Sequence, residues 1–134
     1  IKTSKGEIVL NLLVDEAPGS VANFVSLAKQ QYFNNKTFHR VVPNFVIQGG
    51  CNRGDGYGSE DYSIRSEFTV RRYIEGSVGM ASAGKDTEGT QWFITHSPTP
   101  HLDGRYTIFA EVESGMDVVH AIEVGDVILS VDIK

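Results

Sequence analysis

Nearly every apolar run in this chain is cut short. Glu7–Val14 (EIVLNLLV), Thr37–Val42, Phe45–Gln48, Val78–Ala83, Trp92–Thr95, Tyr106–Val112 and Val127–Ile133 are rich in β-branched and aromatic residues, and most are bounded by glycine, proline, asparagine or aspartate. Runs of about four to eight such residues read as strands. Ile1–Thr3 is the expected partner of Glu7–Val14 across a turn at Ser4, Lys5 and Gly6, and Pro43–Asn44 joins the next pair. Only two stretches read as helix. In Ala17–Gln30, Val21, Phe24, Val25 and Ala28 fall at i, i+3, i+4 and i+7. Asp15 or Ala17 precedes its first turn, where Pro18 is tolerated because its missing N–H is not needed. Gly115–Ile122 is the second, with Met116, Val119 and Ala121 or Ile122 facing inward. Phe68–Ile74 has no decisive period. Regular βαβ alternation, internal repeats and long linkers are all missing from the pattern. The expectation is one domain over residues 1–134, mostly antiparallel β, whose closure into a barrel would remove exposed edges.

The 134 residues are enough for a hydrophobic core without disulfide staples. The net charge of -5 and the isoelectric point near 5.3 lack the basic footprint of a nucleic-acid binder. No apolar run reaches membrane-spanning length, and no signal peptide or lipidation motif is visible. The expected protein is a monomer with no nucleic-acid or membrane partner, cytoplasmic rather than periplasmic. The single cysteine, Cys51, follows an apolar run and two glycines and reads as a buried free thiol. It forms no intramolecular disulfide and no cysteine-based zinc site.

The stretch Gly49–Ser59 is rich in glycine and reads as an irregular surface loop. Its Gly54-Asp55-Gly56-Tyr57-Gly58 segment lacks the lysine and the strand-to-helix setting of a phosphate loop. Asp55, Ser59, Glu60 and Asp61 lack the order of a calcium loop. His39, His96, His101 and His120 form no local metal-ligand pattern, so neither metal nor cofactor is expected. Asn35-Lys36-Thr37 fits a glycosylation triplet too common to carry weight.

Five blocks are more specific. They are Phe38-His39-Arg40-Val41-Val42-Pro43, Phe45-Val46-Ile47-Gln48-Gly49-Gly50, Gly79-Met80-Ala81-Ser82-Ala83, Gly89-Thr90-Gln91-Trp92-Phe93-Ile94-Thr95, and Leu102-Asp103-Gly104-Arg105-Tyr106-Thr107-Ile108-Phe109. In this order and spacing they resemble the cyclophilin family over essentially the whole chain. The short connecting loops look more like its bacterial members. The resemblance implies a closed eight-stranded antiparallel β-barrel capped by two α-helices. It implies a groove on the outside of the barrel that accelerates rotation about X–Pro bonds and assists protein folding. The implied partners are proline-containing peptides and flexible or unfolded protein segments.

Carried onto this sequence, the resemblance makes Arg40 the catalytic arginine. Phe45, Met80, Phe93 and Leu102 are the implied pocket for the proline ring. Gln48 and Gln91 would hold the arginine and the peptide. Ala81, Ser82, His101 and Tyr106 complete the implied substrate contacts, the backbone at Ser82 bonding the substrate main chain. His101 stands where the best-known eukaryotic members carry tryptophan, Tyr106 where they carry histidine, and Ser82 where they carry asparagine. Cyclosporin, a common ligand of the family groove, is therefore expected to bind weakly. Trp92 should face away from Phe93 on a regular strand and belong to the core.

The chemistry suits an arginine. Rotation about a peptide bond meets a barrier of about 18–20 kcal/mol because resonance is lost. At X–Pro bonds the isomers are nearly balanced, yet they exchange over tens to hundreds of seconds. In the twisted state the proline nitrogen regains its lone pair, and a rigid charged donor fork can bond it there. The planar nitrogen is a poor acceptor, so the interaction is selective for the transition state. Alternation within Thr37–Val42 puts Phe38, Arg40 and Val42 on one face if no bulge intervenes. A proline-binding module with weak or absent catalysis, a structural or chaperone-like domain of a larger protein whose isomerase activity is incidental, and a hydrolase using Ser82 or Cys51 with a histidine are the alternatives. The last lacks a nucleophile-elbow motif.

Overall fold

The short runs pair into two antiparallel sheets in the computed structural model, which describes residues 1–58 and 60–134. Ser59, the end of the glycine-rich stretch, lies outside the described residues. The smaller sheet holds β1 (Lys2–Thr3), β2 (Gly6–Glu7) and β9 (Ile128–Ser130), in the order β2-β1-β9. The larger has six strands: β3 (Val9–Leu12), β4 (Arg40–Val42), β5 (Val46–Gly49), β6 (Ser77–Met80), β7 (Trp92–Thr95) and β8 (Ile108–Ser114). Their order is β3-β8-β6-β7-β5-β4. Single backbone bonds link the sheets. Ile1 and Ile8 exchange N–H···O bonds of 2.8 Å each, carrying the first hairpin toward β3. Asn35 and Phe38 donate to the carbonyls of Ile128 and Asp126, and Ile128 donates to Lys36, so the approach to β4 runs along β9.

Helix α1 (Pro18–Lys29) and helix α2 (Met116–Ala121) lie close to the expected spans. Val21, Phe24 and Ala28 are buried as their spacing requires, and Leu27 joins them, while Val25 is only partly buried. Phe24 meets Trp92 edge-on at 6.1 Å and Phe109 at 5.2 Å. This aromatic cluster fixes α1 against the large sheet. Ala17 offers no side-chain cap. The first-turn N–H groups of Gly19 and Ser20 instead donate to the Glu67 carboxylate at 3.0 and 2.7 Å. Phe68–Ile74 forms no strand, and its preceding residue thus serves as a distant cap for α1.

Strand ends differ from the expected ones. The first long run is interrupted at Ile8 and stops at Leu12, and the last stops at Ser130. Phe38 and Arg40 do not share a face. Phe38 is fully buried in the core and Arg40 is exposed, while Val41 packs against that core. The chain leaves its bonds to the β9 segment at Phe38 and enters the β5 ladder at Arg40, so alternation is not continuous across His39.

Candidate functional site

Two apolar clusters sit on opposite faces of the large sheet, and register decides which residue joins which. On β7, Trp92 and Ile94 belong to the main core, whereas Phe93 belongs to the second cluster with Val46, Tyr73, Leu102 and Ile108. Phe93 pairs with Gln48 on β5 and Gly79 on β6. Cross-strand partners point to the same side, so Gln48 stands beside Phe93, and the side-chain space at Gly79 is taken by Tyr73 and Phe93. Trp92 pairs with Met80 and, like it, is buried in the main core.

That second face carries a groove of about 360 Å³. Arg40, Phe45, Gln48, Ala81, Ser82, Phe93, His101, Leu102 and Tyr106 line it, together with Val46. Nine of the eleven residues expected at the site are therefore brought together here. Met80 is not among them. It is 1% exposed and packs on the opposite face of the sheet. Gln91 stands one layer behind the lining residues and reaches the groove through Gln48. Val46 is the residue that sequence reasoning missed. It lies two positions before Gln48 on a regular strand, so period-two alternation would have placed both on one face.

The polar wall is a relay. Arg40 opposes Gln48 across the β4–β5 ladder, and its Nη1 donates to Gln48 Oε1 at 3.4 Å. Gln48 Nε2 donates to Gln91 Oε1 at 3.1 Å. Gln91 Nε2 donates in turn to the carbonyls of Gly56 and Gly58, both at 3.0 Å. Each amide is thus orientated by its neighbour, and the last link fixes the glycine-rich loop. Cys51, buried as expected, accepts from the N–H groups of Gly56 and Gly58. Burial raises the thiol pKa, but several backbone donors outweigh it and lower the net value. Gly50 begins this loop with φ +87°, and a Cβ there would come within 2.3 Å of the Thr90 carbonyl oxygen. Only glycine permits that close approach.

The apolar wall is aromatic. The Arg40 guanidinium lies 5.7 Å from the Phe45 ring centroid, and Phe45 meets His101 at 5.4 Å. Tyr106 meets Phe93 edge-on at 6.0 Å. Phe93 and Leu102 are almost fully buried, and His101 is exposed on the 3₁₀ turn Pro100–Leu102. The arrangement sets an exposed, always-charged donor, Arg40, beside an apolar surface built from Phe45, Val46, Phe93 and Leu102. His39, next to Arg40, has both ring nitrogens buried without a hydrogen-bond partner among the described residues. Burial and the Arg40 charge push its pKa down and favour the neutral ring. Among the described residues no cluster of histidine, cysteine or acidic side chains has the geometry to hold a metal ion.

Comparison with known proteins gives a consistent result. The family model described as cyclophilin type peptidyl-prolyl cis-trans isomerase/CLD matches residues 1–133. A peptidyl-prolyl cis-trans isomerase of Synechococcus elongatus is 44% identical over 135 residues, covering 99% of this chain and 93% of the relative. Peptidyl-prolyl cis-trans isomerase B of Bacillus subtilis is 43% identical over 130 residues, covering 96% and 91%. Among solved structures, a Cryptosporidium parvum cyclophilin type peptidyl-prolyl cis-trans isomerase, crystallised in the presence of the dipeptide Ala-Pro, superposes with a TM-score of 0.90. It is 29% identical, with 97% of this chain and 93% of that one covered.

Proposed function

This chain belongs to the cyclophilin-type peptidyl-prolyl cis-trans isomerase family and isomerises X–Pro peptide bonds, and we propose that it does so in the groove beside Arg40. The observation that carries the proposal is the pairing of an exposed arginine, held by Gln48, with the apolar pocket around Phe93. The proline ring enters that pocket against Phe93, Val46 and Leu102. The Arg40 guanidinium donates to the imide nitrogen as it pyramidalises. Because the nitrogen accepts well only when twisted, the bond lowers the barrier rather than deepening the ground state. Each tenfold of rate requires about 1.4 kcal/mol of that preference. The Gln48–Gln91 relay keeps the guanidinium aimed, which reduces the reorganisation left for the reaction itself. Backbone groups at Ser82 bond the substrate main chain.

The finer architecture follows the same reading. The nine short strands act as one closed eight-stranded barrel, with β2 and β3 as a single interrupted strand. Support comes from the Ile1–Ile8 bonds at one seam and the Asn35, Lys36 and Phe38 bonds to the β9 segment at the other. Residues 1–134 form the isomerase domain. Cyclosporin binds weakly in the groove, because His101 presents a smaller ring than tryptophan and lacks the indole donor.

NMR exchange spectroscopy on a series of X–Pro peptides tests the assignment. Catalysed exchange, with peptide-induced shifts centred on Phe93, Ala81 and Gln48, is the expected result. Catalysis with shifts confined to the opposite face of the sheet would remove the groove from the mechanism.

A further inference from the structure

Tyr73 lies behind the groove, where it meets Phe93, the backbone at Tyr106 and Thr107, and both ends of the turn that carries His101 and Leu102. Its ring is 1% exposed and stacks behind Phe93, with centroids 5.7 Å apart and planes 22° from parallel. Its hydroxyl lies 3.0 Å from the Tyr106 carbonyl oxygen and 3.2 Å from that of Thr107, so one O–H is shared between them. Its backbone N–H donates to Asp103 Oδ1 at 2.7 Å, and its carbonyl accepts from Thr99 N–H at 3.1 Å. Those last two bonds hold the ends of the turn that carries His101 and Leu102.

Gly79 is the complement of this side chain. It stands opposite Phe93 in the β6–β7 ladder. A Cβ at Gly79 would lie 2.4 Å from Tyr73 Oη and 2.5 Å from Phe93 Cζ. Tyr73 therefore fills the space that a side chain on β6 would otherwise take, and Phe93 is clamped between Tyr73 behind and Tyr106 in front. Interiors are packed densely enough that such a ring has one position rather than several. Burial pushes the Tyr73 phenol pKa far above its ordinary value, so the hydroxyl stays a donor at any working pH.

We infer that Tyr73 is a positioning residue for the isomerase reaction: through its stack on Phe93 and its hydroxyl bond to the 106–107 backbone, it sets the depth of the proline pocket. The inference rests on the groove assignment and specifies what holds its floor in place. Removing the hydroxyl keeps the ring stack but releases the backbone under Tyr106. Adding a methyl group at Gly79 drives Phe93 forward into the pocket.

The test uses Tyr73→Phe, Gly79→Ala and Phe93→Ala, each measured well below its melting temperature. Peptide Kd and Phe93 ring resonances are followed by NMR, with circular dichroism as the folding check. The expected result for Tyr73→Phe is a folded protein with shifted Phe93 ring signals and a Kd weakened about three- to tenfold, the range one hydrogen bond supplies. Gly79→Ala should weaken binding further, with larger Phe93 shifts. A folded Tyr73→Phe protein with wild-type Kd and unmoved Phe93 signals overturns the inference, provided Phe93→Ala is impaired. If Phe93→Ala itself binds and turns over as wild type, the groove assignment falls and this inference falls with it.

Discussion

Arg40 and Gln48 are direct partners in the β4–β5 ladder, and the guanidinium of one is anchored on the amide oxygen of the other at 3.4 Å. The arginine is exposed. Arg40→Ala should therefore fold normally and lose about 100-fold or more in kcat, the scale of a lost transition-state donor. Arg40→Lys should be nearly as poor, since a flexible ammonium lacks the fork. Peptide Kd should change far less than turnover. Exchange spectroscopy at saturating enzyme measures both, and near wild-type turnover by a folded Arg40→Ala protein would sink the mechanism.

Gln91 bonds the lining side chain of Gln48 and joins the groove to the glycine-rich loop. Gln91→Ala removes the acceptor for Gln48 Nε2 and the donor to the Gly56 and Gly58 carbonyls. The expected loss in kcat/KM is about five- to tenfold, the net scale of about one hydrogen bond, because the three bonds removed act on Arg40 only through Gln48. The Gly56 and Gly58 amide resonances should shift as well. Unchanged kinetics would show that Arg40 is aimed without the relay.

Met80 and Val46 should separate stability from binding. Met80 sits in the main core, so Met80→Ala should cost about 2–5 kcal/mol in a urea or thermal unfolding series. Its folded fraction should bind peptide normally. Val46→Ala should destabilise less and weaken peptide binding several-fold, because the lost methyl groups face the proline pocket. The reverse ranking of the two Kd values would contradict the assigned faces.

His101→Trp should tighten cyclosporin binding, since it adds a large flat surface and an N–H donor next to Phe45. Titration calorimetry on both proteins is the measurement. Tight wild-type binding, or no gain in the variant, would refute the weak-binding proposal.

Acid should destabilise this fold before its carboxylates titrate. His39 and His96 both have lowered pKa values, chiefly through burial, with Arg40 adding to the effect at His39 and His120 at His96. Below about pH 6.5 the unfolded chain binds protons that these folded histidines resist. Stability therefore rises with pH across that window and falls as the pH drops from 6.5 toward the folded values. Glu16, whose pKa is lowered mainly by its bond to Arg71, stabilises the fold above about pH 4.5, and that contribution is lost only as the pH falls below it. Melting temperatures between pH 5 and 7.5 should decline on acidification, and less steeply in His96→Gln. Equal slopes in both proteins would exclude His96 as a source.

The kinds of element were legible because they depend on local periodicity. Val21, Phe24 and Ala28 mark the buried stripe of α1 within one stretch of chain, and the short β-rich runs can hardly be anything but strands. The five motif blocks likewise pointed to Arg40, Gln48 and Phe93, which the fold gathers in one groove.

Register across strands has no such local signature. Met80 and Gly79 are neighbours in sequence, but the ladder with β7 sets Met80 opposite Trp92, a core residue, and Gly79 opposite Phe93, a groove residue. A shift of one residue exchanges the two faces, so only the paired strands decide it. The same holds for Glu67 capping α1 from 47 residues away and for Tyr73 bracing a pocket built by residues 93 and 106. These side chains act through partners that are distant along the chain, and it is packing, not pattern, that brings them within a few ångströms.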